Sequence, residues 1–280
     1  MNRRKPVALI GGGNMGEVLI RALTESSGIR GADIRVSDIS PGRRSHLSSR
    51  YGVTATSSNG EAADGAGMVI LAVKPQIMKE VLQGLTKTIN REQLIVSIAA
   101  GIPTAFIEGL LAPGVPVVRA MPNTPALIGE GATALCKGIH ASQEDLIAAR
   151  TLFDALGTTV IVEEILMDAV TGLSGSGPAY AFLIIESLTD AGVLLGIPRE
   201  TALRLSAQTL LGAAKLCLAG DKTPAQLKEM VTSPGGTTIA GIKALEEGKL
   251  RATLMSAVEA ATRRSGELAH PDASANHRTR

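Results

Sequence analysis

The 280-residue sequence predicts an α/β fold, with a parallel sheet and interleaved helices first and an all-helical segment second. Three observations predict it. Short apolar runs alternate with helical periodicity through the first half of the chain. The first of these runs, Val7 to Ile10, leads straight into Gly11, Gly13 and Gly16. From about Ile165 onward β-branched runs become rare and apolar residues fall at helical spacing. The expected division is 1–164 for the sheet domain, 165–269 for the helical domain and 270–280 for a polar tail expected to be disordered.

The opening stretch carries most of the information. A buried strand running into a G-x-G-x-x-G turn, followed by an amphipathic helix (Val18, Leu19, Ala22, Leu23), is the pattern of a Rossmann-type dinucleotide site. Gly11 permits the tight turn, Gly13 lets the backbone approach a pyrophosphate, and Gly16 lets the helix pack close to the strand. The helix from Asn14 to Ser27 points its free N–H groups at the phosphates. Strand 2, Ile34 to Ser37, ends at Asp38, about 20 residues beyond the turn, where such folds place a residue on the adenosine ribose. A helix over Pro41 to Arg50 and a short strand over Val53 to Thr56 follow.

Met68 to Val73 is a continuous apolar run, as in a strand buried on both faces. It stops at Lys74-Pro75, because proline has no N–H to donate to the ladder. Leu94 to Ile98 ends in the small residues Ala99, Ala100 and Gly101. Val115 to Val118 is followed by Arg119 and the stiff loop Met121-Pro122-Asn123-Thr124-Pro125. Three strands thus deliver small or polar loops to one sheet edge, which is where open α/β sheets bind ligands. Ala132 to Cys136 and Thr159 to Val162 read as further strands, with a helix over Gln143 to Leu156 between them.

The second half reads as helices. Met167 to Leu195 is interrupted at Ser174-Gly175-Ser176-Gly177-Pro178, read as a helix–helix junction and not a nucleophile elbow. Helices follow over Pro198 to Leu218, Pro224 to Val231, Ile239 to Glu247 and Leu250 to Leu268. Helices so apolar and rich in alanine and glycine predict a surface covered by a second copy of the chain. Ser233-Pro234-Gly235-Gly236-Thr237-Thr238 sets two hydroxyls at a helix start. Two readings stay open there, a carboxylate or phosphate site and a simple N-cap.

Composition excludes several classes. A net charge of +2 makes no case for a polyanionic partner, and 2% aromatics with no tryptophan argues against stacking on nucleic acid. Cys136 and Cys217 lie in apolar surroundings and are read as two buried, reduced thiols. No metal-ligand spacing appears. His46, His140, His270 and His277 carry no signal, and the pairs Glu163-Glu164 and Glu246-Glu247 read as solvated surface. The basic start (Arg3, Arg4, Lys5) precedes an apolar run broken at Gly11, so it is read as a strand and not a signal peptide. No run approaches membrane-spanning length. The expectation is a soluble cytoplasmic protein.

The motifs GGGNMG (Gly11 to Gly16), AVKP (Ala72 to Pro75), SIAAG (Ser97 to Gly101), RAMPNTPA (Arg119 to Ala126), GSGPAY (Gly175 to Tyr180) and SPGGTT (Ser233 to Thr238) span nearly the whole chain. In this order they closely resemble the pyrroline-5-carboxylate reductase family, the last enzyme of proline synthesis. The resemblance implies reduction of L-1-pyrroline-5-carboxylate to L-proline by NADP(H), with NAD(H) as the alternative. It implies a homodimer, open to higher assembly, through the helical domain. It places the substrate on Ser233, Gly235, Gly236, Thr237 and Thr238, with Met121 beside it, and makes Thr238 the catalytic hydroxyl. It places the cofactor on Gly11, Gly13, Asn14, Met15, Gly16, Asp38, Asn59, Ala72, Val73, Lys74, Pro75, Ala100, Gly101, Pro122 and Asn123.

One position departs from the pattern. A carboxylate at Asp38 suits a free ribose 2′-OH and repels a 2′-phosphate, whereas Arg43 and Arg44 could counter that repulsion, so the preference stays open. A β-hydroxyacid dehydrogenase would need a lysine and an asparagine in the helix over Tyr180 to Leu195, which has neither. A dinucleotide sensor without activity would not need SPGGTT.

Overall fold

The structure is a computed structural model that describes residues 5–25 and 28–269. The expected tail at 270–280, the end of the first helix at Ser27, and Arg3 and Arg4 lie outside the described residues.

Eight strands form one sheet: β1 (Val7–Ile10), β2 (Ile34–Ser37), β3 (Thr54–Thr56), β4 (Met68–Leu71), β5 (Leu94–Ser97), β6 (Val117–Met121), β7 (Gly131–Lys137) and β8 (Gly157–Ile161), in the order β3-β2-β1-β4-β5-β6-β7-β8. The strands β1 to β6 run parallel. Because side chains alternate across a strand, each central strand feeds two cores. Leu9, Val36, Ile70, Val96 and Val118 face α1 (Asn14–Glu25), α2 (Pro41–Tyr51) and α6 (Gln143–Asp154). Ala8, Ile10, Val69, Leu71, Ile95 and Val117 face α3 (Asn59–Ala63), α4 (Met78–Leu85) and α5 (Thr104–Leu110). The sheet is therefore doubly wound, and the order reverses between β1 and β4, which is where such sheets open a crevice.

The sheet is not parallel to its end, as the sequence had suggested. The strand β7 pairs antiparallel with β6, and β8 then runs parallel to β7. The cause is the connection. Between Met121 and Gly131 there is only a short 3₁₀ turn, Thr124–Ile128, too short for the crossover of about a dozen residues or more that a parallel neighbour requires.

The helical segment comprises α7 (Met167–Val170), a π turn (Thr171–Gly175), α8 (Gly177–Leu194), α9 (Arg199–Leu218), α10 (Pro224–Met230), α11 (Thr237–Glu247) and α12 (Leu250–Ala269). The glycine-rich interruption is thus a π turn closed by Ser176 N–H to the Thr171 carbonyl at 2.8 Å. By compactness the chain divides into one unit running to Ser176 and including α12 from Ala260, and another of Gly177–Glu259. This division falls later than the expected 164/165 boundary.

The second unit has almost no interior. Among its residues only Thr189, Ala202 and Ser206 are buried. The helices α8 and α9 meet closely at Gly192, where a Cβ would lie 2.9 Å from that of Ala202. Their outer faces leave Phe182, Leu183, Leu194 (86% exposed) and Leu218 (82%) in water. Cys217 is exposed here, contrary to the expectation of two buried thiols, whereas Cys136 on β7 is buried and burial, above all, pushes its thiol up to about 12.

Candidate active site

The glycine turn lies at the carboxyl end of β1, beside the start of the loop after β4. Gly11 adopts φ +102°, and a Cβ there would come within 2.7 Å of the Ala72 carbonyl oxygen. A Cβ on Gly16 would strike the Gly11 carbonyl, so α1 can approach β1 only with glycine at that point. Gly13 differs: none of the described residues lies within 4 Å of where its Cβ would be. The first bond of α1 is donated by Glu17 N to the Gly13 carbonyl at 2.9 Å, so the N–H groups before it face the mouth of the turn. An open space bounded by a glycine backbone and a helix N-terminus fits a dinucleotide pyrophosphate.

The other sheet-domain candidates stand on the same edge. Val73 packs at Gly11, and Pro75 starts the 3₁₀ turn Pro75–Ile77. Gly101 takes φ +75° after β5. Asn59 opens α3 and accepts the Ser37 hydroxyl at 2.7 Å, which ties the end of β2 to the start of α3. Asp38 is braced by backbone: its Oδ2 accepts Gly12 N–H at 2.9 Å and its Oδ1 accepts Ser40 N–H at 2.8 Å. Met121 ends β6 with its methyl against Gly175 of the π turn, where a Cβ would lie 2.6 Å away. Asn123 is buried and its amide is spent on the protein. It donates to the Ser174 carbonyl at 3.0 Å and accepts Ala132 N–H at 2.9 Å. Its side chain thus fastens the β6 loop to the π turn and to β7.

SPGGTT lies in the other unit. Gly235 has φ +67°, Gly236 N–H closes onto the Ser233 carbonyl at 3.1 Å, and Gly236 is the cap residue of α11. A glycine cap brings no side chain, and no side-chain cap bond forms. Thr237 and Thr238 are the first two helical residues, Thr238 half-buried. The threonines are therefore not the cap that the simplest reading required, and the helix N-terminus stays available to an anion.

Residues 164–268 match the family model described as pyrroline-5-carboxylate reductase dimerisation, and residues 6–101 match NADP oxidoreductase coenzyme F420-dependent. A pyrroline-5-carboxylate reductase of Pseudomonas aeruginosa is 46% identical over 264 residues, covering 94% of this chain and 96% of the relative. The chain belongs to the pyrroline-5-carboxylate reductase family. Solved structures of the family agree. A pyrroline-5-carboxylate reductase from Coxiella burnetii superposes with a TM-score of 0.87 at 38% identity, covering 95% of this chain and 99% of that one. The Plasmodium falciparum pyrroline carboxylate reductase with NADP bound superposes with a TM-score of 0.86 at 32% identity, covering 95% and 98%.

In this pyrroline-5-carboxylate reductase family member two charged clusters were missed from the sequence. Arg119 is buried in the middle of β6, 3% exposed, with Glu164 at 3.7 Å and Asp168 at 3.4 Å. Glu164 also accepts Thr104 N–H and Oγ1–H, both at 2.6 Å, and Asp168 accepts the Ser265 hydroxyl at 2.8 Å. Glu164 is thus a structural anchor and not the solvated surface expected of it. Glu246 and Glu247 do form surface pairs, with Arg251 and Lys243. The available signal was Arg119 itself, since a cation inside an apolar strand requires partners of opposite charge.

The second cluster surrounds Glu17 on α1. Arg43 Nη2 donates to its Oε2 at 2.5 Å, Tyr51 OH donates to Oε1 at 3.0 Å, and His46 Nε2 lies 2.9 Å from Oε1. His46, read as carrying no signal, thus sits beside one carboxylate. Partial burial pulls the Glu17 carboxyl upward, but the bonds from His46, Arg43 and Tyr51 and the Arg43 charge outweigh it and hold it at about 2.

Proposed function

We propose that this chain reduces L-1-pyrroline-5-carboxylate to L-proline, with NADP(H) as cofactor and NAD(H) as the alternative. The observation that carries the reading on this chain is the α11 start, a glycine-capped helix mouth with two threonines behind it. The substrate is a cyclic imine with a carboxylate, and as an iminium it already attracts hydride at its C=N carbon. The reduced dinucleotide, when bound, supplies that hydride. The protein's task is then placement. Backbone N–H groups of Gly236, Thr237 and Thr238 take the carboxylate, with Ser233 and Gly235 shaping the loop. The Thr238 hydroxyl hydrogen-bonds the ring nitrogen and holds the proton that the product amine keeps. Met121 closes the side toward the dinucleotide.

On the sheet edge, Gly11, Gly13, Asn14, Met15 and Gly16 hold the pyrophosphate. Asp38 and Asn59 stand on the adenosine side. Ala72, Val73, Lys74, Pro75, Ala100, Gly101, Pro122 and Asn123 line the path toward the nicotinamide. The helical segment 165–269 forms a homodimer, supported by the dimerisation match and by its uncovered apolar faces. Cytoplasmic location is proposed with it, since Cys136 and Cys217 are free thiols of the kind a reducing compartment keeps. No helix among the described residues is long and apolar enough to cross a membrane.

The test is oxidation of NADPH and of NADH by the purified chain, each with and without pyrroline-5-carboxylate. Substrate-dependent oxidation is expected. Thr238→Ala should lower turnover about tenfold or more while dinucleotide affinity holds. Unchanged turnover would remove Thr238 from the chemistry.

A further inference from the structure

Gly12 is held from both sides by opposite charges. Its N–H donates to the Asp38 carboxylate at 2.9 Å, and its carbonyl accepts Arg43 Nε–H at 2.5 Å. The guanidinium goes on to the Gly13 carbonyl through Nη2 at 3.2 Å and ends on Glu17. A cation therefore stands beside the very residue where dinucleotide folds read the adenosine ribose. It is countercharged by a carboxylate from α1, and two of its nitrogens are committed to main-chain carbonyls. Arg44, the other cation at this corner, is bonded through Nη1 to the Asp38 and Ile39 carbonyls and has no carboxylate partner among the ion pairs of the described residues.

We propose that Glu17 is a specificity-determining residue: by holding the Arg43 guanidinium on the glycine turn it withholds that cation from a ribose 2′-phosphate. It thereby limits how far the chain favours the phosphorylated dinucleotide over the unphosphorylated one. The inference rests on the dinucleotide reading above and goes beyond it, because Glu17 lies outside the residues assigned to the cofactor. His46 and Tyr51 serve the same end, since they fix the Glu17 carboxylate from α2. With the Glu17 charge removed, Arg43 Nη2 loses its carboxylate partner and the guanidinium has an uncompensated charge near the ribose position. Bidentate capture of a phosphate is what a guanidinium does best. Arg44 supplies a constant background in every variant.

The experiment is direct binding of NADPH and of NADH to the unliganded dimer, followed by calorimetry or nicotinamide fluorescence, for wild type, Glu17→Gln, Arg43→Gln and the double variant. The expected result is a shift of about tenfold toward NADPH in the affinity ratio of Glu17→Gln, with NADH affinity changed less than about twofold, and return of the ratio to the wild-type value in the double variant. An unchanged ratio in Glu17→Gln, or a shift that persists without Arg43, overturns the proposal. Arg43→Gln alone is a separate arm should Glu17→Gln fold poorly. The ratio is expected to move less than about twofold there, because the guanidinium is already spent. A selective tenfold loss of NADPH binding in that variant would show Arg43 already serving the phosphate and overturn the idea. Both dinucleotides bound with an unmoved ratio would sink this inference alone. A wild-type chain that binds neither would overturn it together with the cofactor reading.

Discussion

Two glycines three residues apart in the same turn should fail in different ways. Gly16 has a backbone carbonyl where its Cβ would go, so Gly16→Ala forces α1 away from β1 and should lower Tm as well as dinucleotide affinity. Gly13 has open space there, so Gly13→Val should leave Tm nearly unchanged yet weaken NADPH and NADH binding about a hundredfold or more. Paired thermal unfolding and binding titrations check both. Glu17 gives a pH signature. Its folded carboxyl sits at about 2 against an ordinary 4.5, so it stabilises the fold fully above pH 4.5 and loses that contribution as pH falls toward 2. Glu17→Gln should flatten the acid limb of the stability profile within that window, and an identical acid limb would refute the assignment. The glycines were legible from spacing alone because their constraint is local. Arg119 was not. A charged residue reads as the end of a strand, and only the fold reveals Glu164 and Asp168 waiting for it, so β6 was ended at Val118 when it runs to Met121.

At the scale of elements, the π turn is the most informative joint. Asn123 and Met121 both lean on it, one through the Ser174 carbonyl and one against Gly175. A methyl added at Gly175 would clash with the flexible tip of Met121 and touch Thr171 at ordinary contact distance, so Gly175→Ala should cost little stability, about 1 kcal/mol or less, by displacing that tip. Because Met121 is proposed to close the substrate side, turnover should nonetheless fall about tenfold. A variant with full turnover would take Met121 out of the site. The central strands were legible because β1 and β4 are unbroken apolar runs and β5 is apolar up to Ser97, all buried on both faces. The short helices α4 and α5 were not singled out, since few turns give periodicity little length over which to show. The reversal at β7 depended on a connection length that the misplaced end of β6 concealed.

For the whole molecule, the sequence conveyed a sheet followed by helices, but the compact units divide at Ser176 and share α12, a grouping that no composition change marks. The helical unit has the hydrophobic content of a core without the burial. Phe182→Glu combined with Leu183→Glu should convert the dimer to monomer in analytical ultracentrifugation and remove the concentration dependence of Tm expected of the wild type. A double variant that stays dimeric would show that this face is not the interface. With only Thr189, Ala202 and Ser206 buried between Gly177 and Glu259, a newly made chain finishes its sheet unit alone and must collide with another to finish the rest. Its maturation is thus second order. The sheet unit folds at a rate set by the chain, whereas the helical unit waits on how many siblings are being synthesised nearby.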